Sequence, residues 1–282
     1  MRADRFSDVV VGHGEGPVWW PADGLRICDG YAGRIVGLDA DGGVVGALTV
    51  GSFVGAFRPR VGGGTVAAAK RSFVLVDTDG TVGDLGEIWA DPSVRMNDGG
   101  TDPQGRFYAG SMPEQPGTGS LYRLTPRPHD APRLDVVLEG VSCSNGLAFS
   151  PDGHRCYYID TPTHRVDVFD VDPAGDWHDR RPLAHLGDAN PDGMTVDTQG
   201  HLWVALFGGG QVICLDPGSG TTLEVIEVEG AAQTTACTFG GPDLDQLFIT
   251  TSDENGTGGP VAGSVFVARP GVTGILPVPF AG

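Results

Sequence analysis

Lysine is almost missing from this chain: Lys70 is the single lysine among 18 basic residues, set against 36 acidic ones. That removes Walker-type phosphate binding and argues against Schiff-base chemistry. The net charge of −18 would be repelled by nucleic-acid phosphates and by anionic membranes, so neither is an expected partner. No stretch is apolar over the roughly 20 residues that a membrane-spanning helix needs. No apolar segment follows Met1-Arg2-Ala3-Asp4-Arg5 in the manner of a secretory leader, which makes the cytoplasm the expected location. The five cysteines (Cys28, Cys143, Cys156, Cys214, Cys237) are odd in number and form no C-x-x-C pair, so buried free thiols are expected rather than zinc or disulfides. No G-x-S-x-G elbow and no H-E-x-x-H occur. The histidines (His13, His129, His154, His164, His178, His185, His201) are scattered without ligand spacing.

What is abundant is punctuation: 46 glycines and 21 prolines. Between them run short segments rich in Val, Leu, Phe, Tyr and Trp, with no long helical period, which is an all-β pattern. A hairpin signal recurs, a glycine turn followed by an alternating strand, at Asp23-Gly24, Gln104-Gly105, Asp152-Gly153 and Gln199-Gly200. These turns need positive φ, which glycine adopts without steric cost. Weaker copies stand at Gly63-Gly64 and Leu244-Asp245, so the six turns are spaced by 40 to 48 residues. Strands and turns at that period, without helices, predict a six-bladed β-propeller occupying residues 1–282 as one domain. Each blade is apolar on both faces, so the ring must close. Residues 263–267 and 275–278 are expected to share in that closure with the N-terminal strand.

The repeat also organises the polar residues. Glu15 lies nine residues before Gly24, while Asn97, Asn145 and Asp192 lie eight before Gly105, Gly153 and Gly200. A glycine follows each within two residues, as in Gly14-Glu15-Gly16, Asn97-Asp98-Gly99, Asn145-Gly146 and Asp192-Gly193. The second repeat offers Ala56 at this position, and the last offers Thr234 and Thr235. Rotation about a propeller axis would bring these side chains to one mouth of the channel. Four oxygen-bearing side chains, two of them carboxylates, repel one another unless a cation sits between them. Oxygen donors without imidazole or thiolate suit Ca²⁺, Mg²⁺ or Mn²⁺. Singly, Asn-Gly and Asp-Gly are ordinary turn dipeptides; the shared offset, and a glutamate that turn chemistry does not require, carry the inference. Arg95 is a candidate cation for substrate hydroxyls or a developing oxyanion, with a surface or inter-blade salt bridge equally open.

Longer motifs resemble the senescence marker protein / gluconolactonase family, which includes regucalcin. They are Gly14-Glu-Gly-Pro-Val-Trp, Arg95-Met-Asn-Asp-Gly-Gly-Thr-Asp-Pro-Gln-Gly-Arg-Phe-Tyr-Ala-Gly-Ser-Met, Ser144-Asn-Gly-Leu-Ala-Phe-Ser-Pro-Asp-Gly, Pro191-Asp-Gly-Met-Thr-Val-Asp, Leu202-Trp-Val-Ala and Thr234-Thr-Ala-Cys-Thr-Phe-Gly-Gly. The resemblance implies one divalent metal at the channel mouth, calcium foremost, with Mg²⁺, Mn²⁺ or Zn²⁺ as alternatives. It matches Glu15, Asn145 and Asp192 to the metal ligands, Arg95 and Asn97 to the substrate-contacting pair, and Asp192 to the general base. The implied activity is hydrolysis of small sugar lactones to aldonic acids. A phosphotriesterase or esterase of the same fold, or a calcium-binding propeller without turnover, are the competing readings. Where the family often has an acidic stretch after Met112, Gln115 stands here, which bears on the identity of the substrate.

Overall fold

The computed structural model describes residues 1–127 and 130–282; of the seven histidines, His129 lies outside them. The fold is a six-bladed β-propeller, with each repeat a four-stranded antiparallel sheet. The innermost strands are Gly14–Trp20, Val54–Pro59, Arg95–Thr101, Ser144–Phe149, Asn190–Val196 and Thr234–Gly240. Each touches the next, and the last returns to the first, so they form the wall of a central channel. Among the described residues the only helical elements are the 3-10 turns Gly30–Ala32, Thr161–Thr163 and Glu254–Gly256. None of the described helices is long and apolar enough to cross a membrane.

The hairpins that follow the inner strands form the base of the ring, and their chemistry is local. Gly24, Gly64, Gly105, Gly153 and Gly200 all adopt positive φ, between 73° and 88°. The last repeat has no glycine there, and Leu244 takes the left-handed conformation instead, at φ 55°. Two of these hairpins are pinned by fully buried aspartates. Asp102 accepts the N–H groups of Gln104 and Arg106 at 3.0 and 2.9 Å, together with the Tyr108 hydroxyl at 3.0 Å. Asp197 accepts those of Gln199 and His201, both at 2.9 Å, with Trp203 Nε1 at 3.1 Å.

Burial runs between blades. Val18, Cys28 and Ile35 of the first blade pack on Val54, Phe57 and Val74 of the second. Equivalent clusters fill the other junctions, ending with Phe248 and Val265 of the last blade against Leu25, Ile27 and Val36 of the first. Each fully buried side chain of this kind contributes about 1.5–3 kcal/mol. The five cysteines are unpaired and Cys28, Cys156, Cys214 and Cys237 are buried, as expected. Closure is made by Asp4–Arg5, which pairs with Phe266–Ala268 as the outer strand of the sixth blade. Residues 275–278 do not join a sheet. The tail instead crosses the base, anchored where Gly274 N–H meets Leu244 O and where Phe280, fully buried, meets Pro59 O. Proline at 277 and 279 explains the difference, because it removes the N–H groups a ladder requires.

Candidate active site

All six inner strands carry one extra residue near their N-terminal end, where the pairing register slips. The slips fall between Glu15 and Val18, Val54 and Ala56, Met96 and Gly99, Ser144 and Leu147, Pro191 and Met194, and Thr234 and Ala236. A β-bulge re-aims the side chains it contains. Asn97, Asn145 and Asp192 lie inside bulges, and Glu15 immediately precedes one. The shared sequence offset is therefore a shared bulge.

The glycines beside these residues make room for the neighbouring blade. A Cβ on Gly55 would lie 1.7 Å from the Asn97 carbonyl oxygen, and one on Gly146 would lie 2.6 Å from that of Asp192. On Gly193 it would meet the Ala236 methyl at 2.5 Å. None of these three has positive φ, so close approach rather than turn geometry demands glycine.

A chain of hydrogen bonds crosses three blades at this level. Arg95 Nη1 donates to Asn97 Oδ1 at 2.5 Å, and Asn97 Nδ2 donates to Asn145 Oδ1 at 3.0 Å. Asn145 Nδ2 donates to Thr161 Oγ1 at 2.7 Å, and that hydroxyl donates to the Pro191 carbonyl, also at 2.7 Å. Four of the five residues singled out in the sequence are thus joined or adjacent along one relay: Arg95, Asn97, Asn145 and, through Pro191, Asp192. Among the described residues Arg95 forms no salt bridge, at the surface or between blades. Its guanidinium lies 4.5 Å from the Phe53 ring centroid and 5.7 Å from that of Tyr31.

Glu15 joins the group electrostatically. Glu15, Asn145 and Asp192 are all buried. Burial first, then the charge of Asp98, pushes the Glu15 carboxyl up to about 8, against the pull of the Gly16 N–H and of Arg95. Burial first, then Glu15 and Asp98, pushes Asp192 well above the ordinary carboxylate range, against the pull of Arg95. Among the described residues no three His, Cys, Asp or Glu side chains gather as a metal cluster. Glu15 and Asp192 offer two carboxylates, and the Asn145 amide oxygen would be the third donor. Such a donor set suits a hard divalent cation, and the mutual repulsion of Glu15 and Asp192 is what a cation would relieve.

Sequence reasoning missed several residues. Asp98 is buried beside Asn97, its pKa pushed up to about 6 by burial and restrained by the Gly99 N–H and by Arg58. Thr161 links Asn145 to the Asp192 strand from the 3-10 turn after the second strand of its blade, outside the offset that marked the inner-strand residues. His13 bonds through Nδ1 to Ser252 Oγ at 2.7 Å and packs against Tyr31, at the blade 1 to blade 6 junction. Below the bulges a cavity of about 220 Å³ is lined by Arg58, Asp98, Thr101, Met194 and Thr238, with residues 275–278 in its wall. The Glu15, Asn145 and Asp192 side chains do not line it.

The bulged inner strands fall within residues 13–253, which match the SMP-30/gluconolactonase/LRE-like region. The chain belongs to this family. A protein named 6-deoxy-6-sulfogluconolactonase, from Pseudomonas putida, is 37% identical over 284 residues, covering 95% of each chain. Regucalcin of Gallus gallus is 35% identical over 288 residues, again covering 95% of each. The crystal structure described as a calcium-binding protein, regucalcin, from Agrobacterium tumefaciens superposes with a TM-score of 0.88 at 26% identity, covering 99% of this chain and 97% of that one.

Proposed function

We propose that this family member is a divalent-cation-dependent lactonase that opens small sugar lactones to their aldonic acids. The observation that carries the reading is the meeting, at one level of the channel, of two buried carboxylates, Glu15 and Asp192, with the Arg95–Asn97–Asn145–Thr161 relay. The relative named 6-deoxy-6-sulfogluconolactonase supports the lactone as substrate class. Glu15, Asn145 and Asp192 would hold the cation, which supplies Lewis-acid polarisation of the lactone carbonyl when bound.

The chain's own residues do the rest. Asp192 accepts the proton of the attacking water and returns it to the ring oxygen as the ester C–O bond breaks. Arg95, fixed between the Phe53 ring and Asn97, presents a cation of set direction to the substrate oxygens. Asn97 is held in one amide orientation by Arg95 on one side and by the Ser144 carbonyl and Asn145 on the other. Two preset polar groups orient a hydroxylated ring before reaction.

A second reading, a cation-binding propeller without turnover, is favoured by the relative described as a calcium-binding protein. One experiment separates them. Metal-free protein is reloaded with Ca²⁺, Mg²⁺, Mn²⁺ or Zn²⁺ in turn, and acid release is followed from a panel of aldonolactones and, in parallel, from phosphotriesters. Lactone hydrolysis that returns with the cation supports the lactonase. Hydrolysis confined to the phosphotriesters selects the alternative esterase, and cation binding without hydrolysis of either class selects the binder.

A further inference from the structure

The mouth holds one more carboxylate, which the mechanism above leaves idle. Glu254 opens the 3-10 turn Glu254–Gly256 in the last blade and is half-buried. Its backbone is fixed at both polar groups. The N–H donates to Gln233 Oε1 at 2.8 Å and to Ser252 Oγ at 3.0 Å, and the carbonyl accepts from Gln233 Nε2 at 3.0 Å. Glu254 Oε1 accepts the Tyr31 hydroxyl at 2.5 Å. Among the described residues nothing donates to Oε2, and no ion pair neutralises the carboxylate. Tyr31 in turn is half-exposed and lies under the Arg95 guanidinium. Glu254 therefore stands in the same wall as a residue assigned to substrate contact, and its charge is felt at Glu15, Asp192 and His13.

We propose that Glu254, held by Tyr31, is a specificity-determining residue that accepts hydroxyl groups of a neutral polyhydroxy lactone and turns away lactones whose far end is anionic. The proposal rests on the lactonase reading. A carboxylate with a free oxygen is an acceptor for hydroxyl donors and has no donor to offer an anion. Discrimination by a built-in repulsive charge is a general route to specificity. The relative named for a sulfonated lactone shows that a charged far end occurs among substrates of similar chains.

The test compares kcat/KM for gluconolactone and for 6-deoxy-6-sulfogluconolactone in the cation-loaded full chain. The native protein should prefer the neutral lactone by about tenfold or more. Glu254→Gln should bring the two substrates close to parity, with the loss on the neutral lactone appearing in KM. Tyr31→Phe, which keeps the carboxylate and removes its tether, should still favour the neutral lactone. A ratio in Glu254→Gln equal to the native one overturns the proposal while leaving the lactonase reading intact. So does a native preference for the sulfonate, or an equal loss on both substrates in both variants. If the native protein opens neither lactone, the lactonase reading falls and takes this proposal with it.

Discussion

Replacing Gly55 with alanine adds one methyl group at the point where two inner strands cross most closely. The new Cβ would lie 1.7 Å from the Asn97 carbonyl oxygen, 2.7 Å from its carbonyl carbon and 3.2 Å from its Cα. All three are backbone atoms, so no side chain can swing aside. Comfortable carbon contacts begin at about 3.5 Å, so the Arg95–Thr101 strand has to retreat by about 1 Å or more. Overpacking of this kind costs about 1–3 kcal/mol, and for a chain of this size that lowers the melting temperature by roughly 2–12 °C. Asn97 carries the bonds to Arg95 and Asn145, so the same retreat pulls the relay out of line. A misplacement of about 1 Å near a reacting centre costs about 100-fold in rate. Thermal unfolding followed by circular dichroism, with kcat/KM on a lactone, measures both effects. Gly46→Ala is the control, because nothing lies within 4 Å of its added Cβ. A Gly55→Ala protein that melts and turns over like Gly46→Ala would refute the idea that crowding at the bulges fixes the site.

Further predictions follow from the same geometry. Asp192→Asn should lower turnover by at least about 100-fold, while leaving the metal-free protein no less stable, since a buried carboxylate repelled by Glu15 and Asp98 has been removed; turnover within tenfold of native would end its assignment as base. Thr161→Val removes both the acceptor for Asn145 Nδ2 and the donor to Pro191 O. Leaving such groups unpaired costs about 1–3 kcal/mol, so cation affinity measured by calorimetry should weaken about tenfold or more. The pH dependence has a definite sign. Glu15 in the metal-free fold stays protonated up to about 8, well above its ordinary value of 4.5. The folded state therefore holds more protons than the unfolded one in that window, and metal-free stability should fall as pH rises from about 5 towards 8. Cation binding displaces those protons, so affinity should climb over the same window and level off above it; an affinity independent of pH contradicts the raised Glu15.

The blades were legible in the sequence because their hairpins are local: Gly24, Gly105, Gly153 and Gly200 announce turns that depend on little beyond their own φ. Glu15, Asn97, Asn145 and Asp192 were legible through their offset from those turns. What stayed hidden depends on the bulges themselves. Strict alternation would put Asn97 and Asp98 on opposite faces of a strand, yet both sit in one bulge, and Asp98 borders the channel cavity. Gly146 and Gly193 read as turn residues in one dimension, whereas their role, like that of Gly55, is set by the next blade some 40 residues away. Thr161, Tyr31 and Glu254 come from 3-10 turns that follow the second strand of their blades, but among the described residues only three of the six blades carry such a turn and no residue type recurs at the same position in it. The C-terminal tail followed the opposite course from residues 263–267: its prolines kept it out of the ladder and left it to cross the base.

Titration calorimetry of metal-free protein with Ca²⁺, repeated with Glu15→Gln, Asn145→Ala and Asp192→Asn, addresses the central claim most directly. The bulges of three different blades should supply one cation site, giving about one equivalent bound by the native chain and a large loss of affinity in each single variant. Native protein that takes up no divalent ion, or three variants that bind as the native chain does, would contradict it.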